Sequence, residues 1–332
     1  MLQYWGKYLP ICFHYIKKLG LKGGIIKHFR NLPVGVIGTG LGLCTLSNAY
    51  NVIGLSWVRT LCMIIGMIIW VIAFRKISFH FDKVKEEYSE NTVTATLYAT
   101  FAMLTMVLSS FIVAYIPILG KGLWLAGIAM QVMLIVMLFG LHIFKKRNLD
   151  VILPSWYVTL LGLLVSTAIG SAMGFAGLQK IIVIYGFIMY FATIGFVVYR
   201  LFKKDLPKPA RYTKTILLAP ISLIIVGYIN VFENKNQMVV TGLLVIFAIT
   251  MIYVLAQTKS FMEGGFTPGY AALTFPHAIA IISSLKISGY FAEINTGLSA
   301  AMYQIAGIQI FFTTAIILFT LYSFYIRRAD FN

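Results

Sequence analysis

The stretch "ALTFPHA", residues 272–278, sits in a segment that is otherwise apolar from Tyr270 to Leu285. Proline removes a helix hydrogen bond and crowds the preceding turn, at a cost of about 3 kcal/mol in an ordinary helix interior. Inside a membrane such a break is tolerated where neighbouring helices satisfy the freed backbone groups. The rest of the chain agrees with that solvent: 60% of its residues are hydrophobic and 11% charged, and its mean hydropathy is +0.87. A span needs about 20 apolar residues, and repeated long runs mean helices rather than barrel strands. The sequence therefore describes an all-α integral membrane protein.

Ten such runs can be counted, at approximately 32–50, 55–74, 93–116, 123–144, 154–173, 181–202, 213–231, 238–256, 270–290 and 298–326. The polar connections "FDKVKEEYSEN" from Phe81 and "KKDLPKPARYTK" from Lys203 are too short to be soluble domains. The expected organisation is a basic amphipathic N-terminal segment, residues 1–30, followed by a ten-helix transmembrane domain, residues 31–328. With both termini cytoplasmic, 22 of the 27 basic residues fall in inner segments, while Arg59, Lys121, Lys180, Lys235 and Lys286 are scattered over the outer ends. That asymmetry is what the positive-inside rule requires, and a missed span would mix the two sets. The formal charge of +17 then belongs mainly to the cytoplasmic surface. With no soluble domain to carry it, nucleic-acid binding is set aside. The first thirty residues lack the long apolar core and small-residue cleavage site of a signal peptide. They read either as an interfacial helix with Lys and Arg toward anionic lipid, or as a solvated basic tail. Cys12, Cys44 and Cys62 show no metal-ligand spacing; no metal, cofactor or redox role is expected.

The odd-numbered runs share a pattern at their centres: "IGTGLGL" from Ile37, "ATFAMLT" from Ala99, "TLLGLLV" from Thr159, "LLAPISL" from Leu217 and "LTFPHAI" from Leu273. Alignment puts Gly40, Ala102, Gly162, Pro220 and Pro276 in one column, at intervals of 62, 60, 58 and 56 residues. A period of that size is one helical hairpin, so the chain reads as five tandem hairpins. Glycine, alanine and proline let a membrane helix bend, unwind or approach a neighbour closely. The even runs are denser in Ile, Val, Leu, Phe and Met. The expectation is an inner ring of five odd-numbered helices around a central pore, inside an outer ring of five even-numbered helices facing lipid.

No carboxylate lies mid-span. Cation pathways and proton relays usually place Asp or Glu within the membrane, so its absence points to anions. The expected path is walled by Thr39, Thr45, Ser47, Thr100, Thr159, Ser166, Thr167, Ser222 and Thr274, with the helix breaks exposing backbone donors. The same hydroxyls can instead bond back to their own helices. His277 is the ionisable side chain near mid-membrane; it is either a pH or proton-coupling group or a neutral packing residue. Phe275 precedes the column. Its mates at that level are Thr39, Phe101, Leu161 and Ala219, so it is among the bulkiest side chains there and a plausible hydrophobic plug.

The hairpin period, "LAPISLIIVGY" from Leu218, "PSWYVTLLG" from Pro154 and above all "PGYAALTFPHAIA" from Pro268 resemble the tellurite-resistance/C4-dicarboxylate transporter family. That family includes the bacterial tellurite-resistance protein and the slow anion channels of plants. The resemblance spans roughly residues 30–328 and implies a homotrimer of independent pores in the cell membrane. Each pore would be five inner helices inside five outer ones, occluded by a phenylalanine of the ninth span, here Phe275. It further implies small anions such as chloride, nitrate, sulfite or malate as substrates. One departure is Ala102, where the family commonly has proline. A proton-coupled carrier of dicarboxylate or sulfite, with His277 as the coupling group, is the competing reading. A membrane-embedded enzyme would need a nucleophile, metal ligands or an acidic cluster in the spans, and no such constellation is present in the sequence.

Overall fold

The computed structural model describes residues 30–90, 92–144, 154–203, 208–262 and 265–327. The N-terminal segment expected at 1–30 lies outside the described residues, apart from Arg30. In chain order the α-helices are α1 (Gly35–Val52), α2 (Ser56–Phe79), α3 (Phe81–Glu90), α4 (Thr92–Leu97), α5 (Ala99–Ile112), α6 (Pro117–Leu138) and α7 (Trp156–Leu160). They continue as α8 (Val165–Ala168), α9 (Ala176–Lys203), α10 (Leu218–Val231), α11 (Gln237–Ala256), α12 (Thr258–Met262), α13 (Ala271–Phe291) and α14 (Thr296–Ile326). Among the described residues there is no strand.

Eight helical segments are long and apolar enough to cross a membrane. Two of the ten runs read from the sequence fall short of that measure, each for a local reason. α1 has 18 residues but is diluted by four glycines, Ser47, Asn48 and Asn51. The run at 154–173 is interrupted: α7, a tight turn at Gly162–Leu164, α8 and a second tight turn at Gly170–Ala172 follow one another.

Burial alternates along the chain. The segments Val93–Ile112, Arg211–Val231 and Pro268–Phe291 bury 78, 72 and 78% of their most apolar windows, whereas Ser56–Phe79, Pro117–Leu141, Ala176–Leu201, Gln237–Ala256 and Thr296–Ile326 bury 22 to 28%. α1 is also buried over most of its length. The buried segments touch in pairs: α1 with α5, α5 with α8, α8 with α10, α10 with α13, and α13 with α1. The apolar, less buried helices pack on the outside of these, α2 on α1 and α5, α6 on α5, α9 and α11 on α10, and α14 on α13 and α1. Small residues allow the close approach: Gly66 of α2 faces Cys44, Gly127 of α6 faces Met106, and Gly186 of α9 faces Leu164.

The interrupted segment at 156–172 frees carbonyls that water cannot reach, and side chains from neighbouring helices answer them. Gln131 Nε2 donates to Val158 O (3.1 Å) and Thr159 O (2.7 Å). Tyr185 donates to Leu160 O (2.9 Å), Trp124 to Ser166 O (3.1 Å), and Asn230 to Thr167 O (3.3 Å) and Ala168 O (3.1 Å). Gln179 donates to Gly170 O at 2.9 Å. An unpaired buried carbonyl costs about 1–3 kcal/mol, so these donors are what make an unwound segment tolerable at this depth.

Candidate functional site

Residues from the five buried segments meet at a cavity of about 30 Å³. α1 contributes Gly38; the second segment Leu97, Thr100 and Met103; the third Tyr157, Val158, Leu161 and Gly162; the fourth Ile216, Ala219, Pro220 and Leu223; and the fifth Ala271, Ala272, Phe275 and Pro276. No lining side chain is charged. The Thr100 hydroxyl is occupied by Leu97 O at 2.6 Å, so it is not a free donor to the space. A volume of 30 Å³ admits a water molecule but not a hydrated anion.

Phe275 is 8% exposed and lines this cavity. Its backbone is pressed against α1 at Gly42, where a Cβ would lie 2.7 Å from Thr274 Cβ and 2.9 Å from Phe275 N. Only glycine permits that approach. The Thr274 hydroxyl joins the same contact, donating to Ala271 O (2.7 Å) and to Gly38 O of α1 (3.2 Å).

The residues singled out in the sequence divide into two groups. Leu161, Gly162, Ala219, Pro220, Phe275 and Pro276 line the cavity. The others face elsewhere. A Cβ on Gly40 would lie 3.1 Å from Ile69 of α2, and Phe101 stacks on Trp70 of α2 with ring centroids 5.6 Å apart. The Ala102 carbonyl faces Gly127 of α6, Thr39 donates to Gly35 O at 2.9 Å, and Thr274 bridges to α1. In the first two segments the lining falls to Gly38, Leu97 and Met103, which the sequence did not single out, and to Thr100, one of the hydroxyls expected on the path. His277 points away from the cavity: it is about 200° round the helix from Phe275, and its ring meets Phe312 of α14 at 5.7 Å. Its Nδ1 pairs with Leu273 O at 2.6 Å.

Among the hydroxyls expected on the path, Thr39, Ser47, Thr100, Ser166, Thr167, Ser222 and Thr274 each donate to a carbonyl three or four residues back in their own segment. Thr159 donates to Thr96 O at 3.3 Å. The cavity is consequently walled by apolar groups rather than by hydroxyl donors.

A polar cluster that the sequence did not signal sits where α2 ends and the path to α1 begins. The Lys76 side chain is 1% exposed and its ammonium donates to Glu87 Oε2 (2.8 Å), Glu87 Oε1 (3.1 Å) and Leu32 O (2.8 Å). The Tyr98 hydroxyl donates to the same carboxylate. The cluster ties α3 to α2, to the entry of α1 and to the start of the second buried segment. Sequence reading placed both charges on a solvated surface, and only the fold brings them under cover.

Five buried segments converging on an apolar cavity, with long apolar helices packed outside them, describe a multi-pass membrane protein. The chain belongs to the SLAC1 family, described as voltage-dependent anion channels, whose family model matches residues 31–326. This is the family that the motifs around Pro154, Leu218 and Pro268 resemble, and its members are channels or transporters of anions rather than enzymes. No curated protein matches the chain.

Proposed function

We propose that the chain passes small anions, such as chloride, nitrate, sulfite or malate, through a path between its five buried segments, gated by Phe275. In this reading ten segments cross the membrane as five tandem hairpins. The buried five form an inner ring, the other five an outer ring toward lipid, and three copies assemble as independent pores in the plasma membrane with both termini cytoplasmic. One observation carries the reading: all five buried segments contribute to a single apolar neck that contains Phe275. The chain of contacts from α1 through α5, α8, α10 and α13 back to α1 supports it. A hydrophobic constriction gates by excluding water, and an anion crosses it only when the ring moves aside. The competing proton-coupled carrier asks His277 to exchange protons with the path, and His277 lies on the opposite side of α13.

Purified protein in planar bilayers with asymmetric chloride tests this reading. The reversal potential is expected near the chloride equilibrium value and unchanged by an imposed pH gradient. A reversal near the potassium value rejects the anion path, and a reversal that follows the pH gradient supports the carrier.

A further inference from the structure

Lys286 lies on α13 eleven residues beyond Phe275, about 16 Å further along the helix and about 20° round it. Ala271, Ala272, Phe275 and Pro276 mark the arc of α13 that lines the neck, and Lys286 falls near the middle of that arc. Its side chain is half-buried and has no ion pair or hydrogen bond among the described residues. The Lys235 ammonium is within Coulombic range of it. The loop carrying Lys235 is tied to α13 one turn beyond Lys286, where the Tyr290 hydroxyl donates to Lys235 O at 3.4 Å. Lys235 itself donates to the Glu233 backbone carbonyl at 3.4 Å. Glu233 and Glu293, the acidic residues at this end, are exposed, and among the described residues neither is ion-paired to these lysines.

Two buried hydroxyls toward the neck also stand without a partner among the described residues. Ser283 is 0% exposed, one turn before Lys286 on the same arc. Thr45 of α1 is 4% exposed; because Gly42 packs on Thr274 and Phe275, it lies about 5 Å beyond the level of Phe275 and about 12 Å below Lys286. Buried polar groups are normally paired, and like charges half-withdrawn from water repel unless a counter-ion shares the space. The charge anomaly is relieved by an anion that shares the space between the two ammonium groups.

We propose that Lys286 and Lys235 form a binding station for a small monovalent anion on the outer side of the Phe275 neck, one turn above the buried hydroxyl of Ser283. The station rests on the reading of a central anion path. The ammonium groups collect the ion before it meets the apolar neck.

The test uses the Phe275→Ala background, in which the neck is open, and measures current while external chloride is raised stepwise. Lys286→Gln is expected to raise the half-saturating external chloride about three- to tenfold, whereas Lys286→Arg, which keeps the charge, holds it within about twofold. Lys180→Gln removes the same charge from an exposed position on α9 and is expected to leave it unchanged. The station is overturned if Lys286→Gln has no effect or only the effect of Lys180→Gln. A Phe275→Ala protein that folds but passes no anion current overturns the central path instead. Independently of current, chloride added to the purified wild-type protein is expected to raise its melting temperature more than gluconate does, and Lys286→Gln to abolish the difference. Equal stabilisation of both proteins also overturns the station.

Discussion

Replacing Phe275 by alanine distinguishes a ring that closes a passage from a ring that fills a core. The substitution removes roughly 100 Å³ of side chain, room for about three waters at ~30 Å³ each beside the existing cavity. A space of that size between Gly38, Leu161, Gly162, Ala219 and Pro220 wets from both ends if the neck lies on a path. The apolar barrier then falls, and anion conductance in planar bilayers is expected to rise at least about tenfold, equivalent to ~1.4 kcal/mol or more of barrier. Because the ring faces the neck, the loss of stability should be well under the 3–5 kcal/mol typical of a core phenylalanine truncated to alanine. A closed core makes the opposite forecast, with melting lowered by roughly 10 °C at about 2–4 °C per kcal/mol and conductance at the wild-type level. Conductance and melting are measured on the same preparation, and a destabilised protein with unchanged current would refute the gate.

Two further predictions concern groups that hold the architecture. Glu87→Ala strands the Lys76 ammonium, 1% exposed, without its carboxylate; thermal or denaturant unfolding should show a loss of about 3–5 kcal/mol, and Lys76→Met with Glu87→Leu should recover most of it. A single variant as stable as wild type would mean that Lys76 reaches water. Gln131→Ala removes both donors to Val158 O and Thr159 O in the interrupted segment. Unfolding should become easier by about 2 kcal/mol or more, and an unchanged melting temperature would show that those carbonyls find other partners.

The apolar runs, the alternation of buried and lipid-facing segments and the column containing Gly162, Pro220 and Pro276 were legible in the sequence. Bilayer thickness sets the length of a run, and composition sets its environment, so both are local properties that need no knowledge of partners. Three members of the column, Gly162, Pro220 and Pro276, line the cavity, and Gly40 and Ala102 do not. Rotation about the helix axis was not legible. Gly40 and Gly38 are both glycines two residues apart, and it is Ile69 packing on Gly40, with Trp70 stacking on Phe101, that leaves Gly38 rather than Gly40 or Phe101 at the cavity. The same limit applies to "TLLGLLV" from Thr159, which contains no proline and yet unwinds, because Gln131, Tyr185, Asn230 and Gln179 supply donors from elsewhere in the chain. Lys76 and Glu87 read as surface charges until α3 is placed against α2 and Tyr98. What the sequence by itself determined is the apolar environment and the run of segments that lie in it. The tertiary structure alone decided which face of each helix meets the neck and which polar groups are paired, because both depend on side chains brought together from distant parts of the chain.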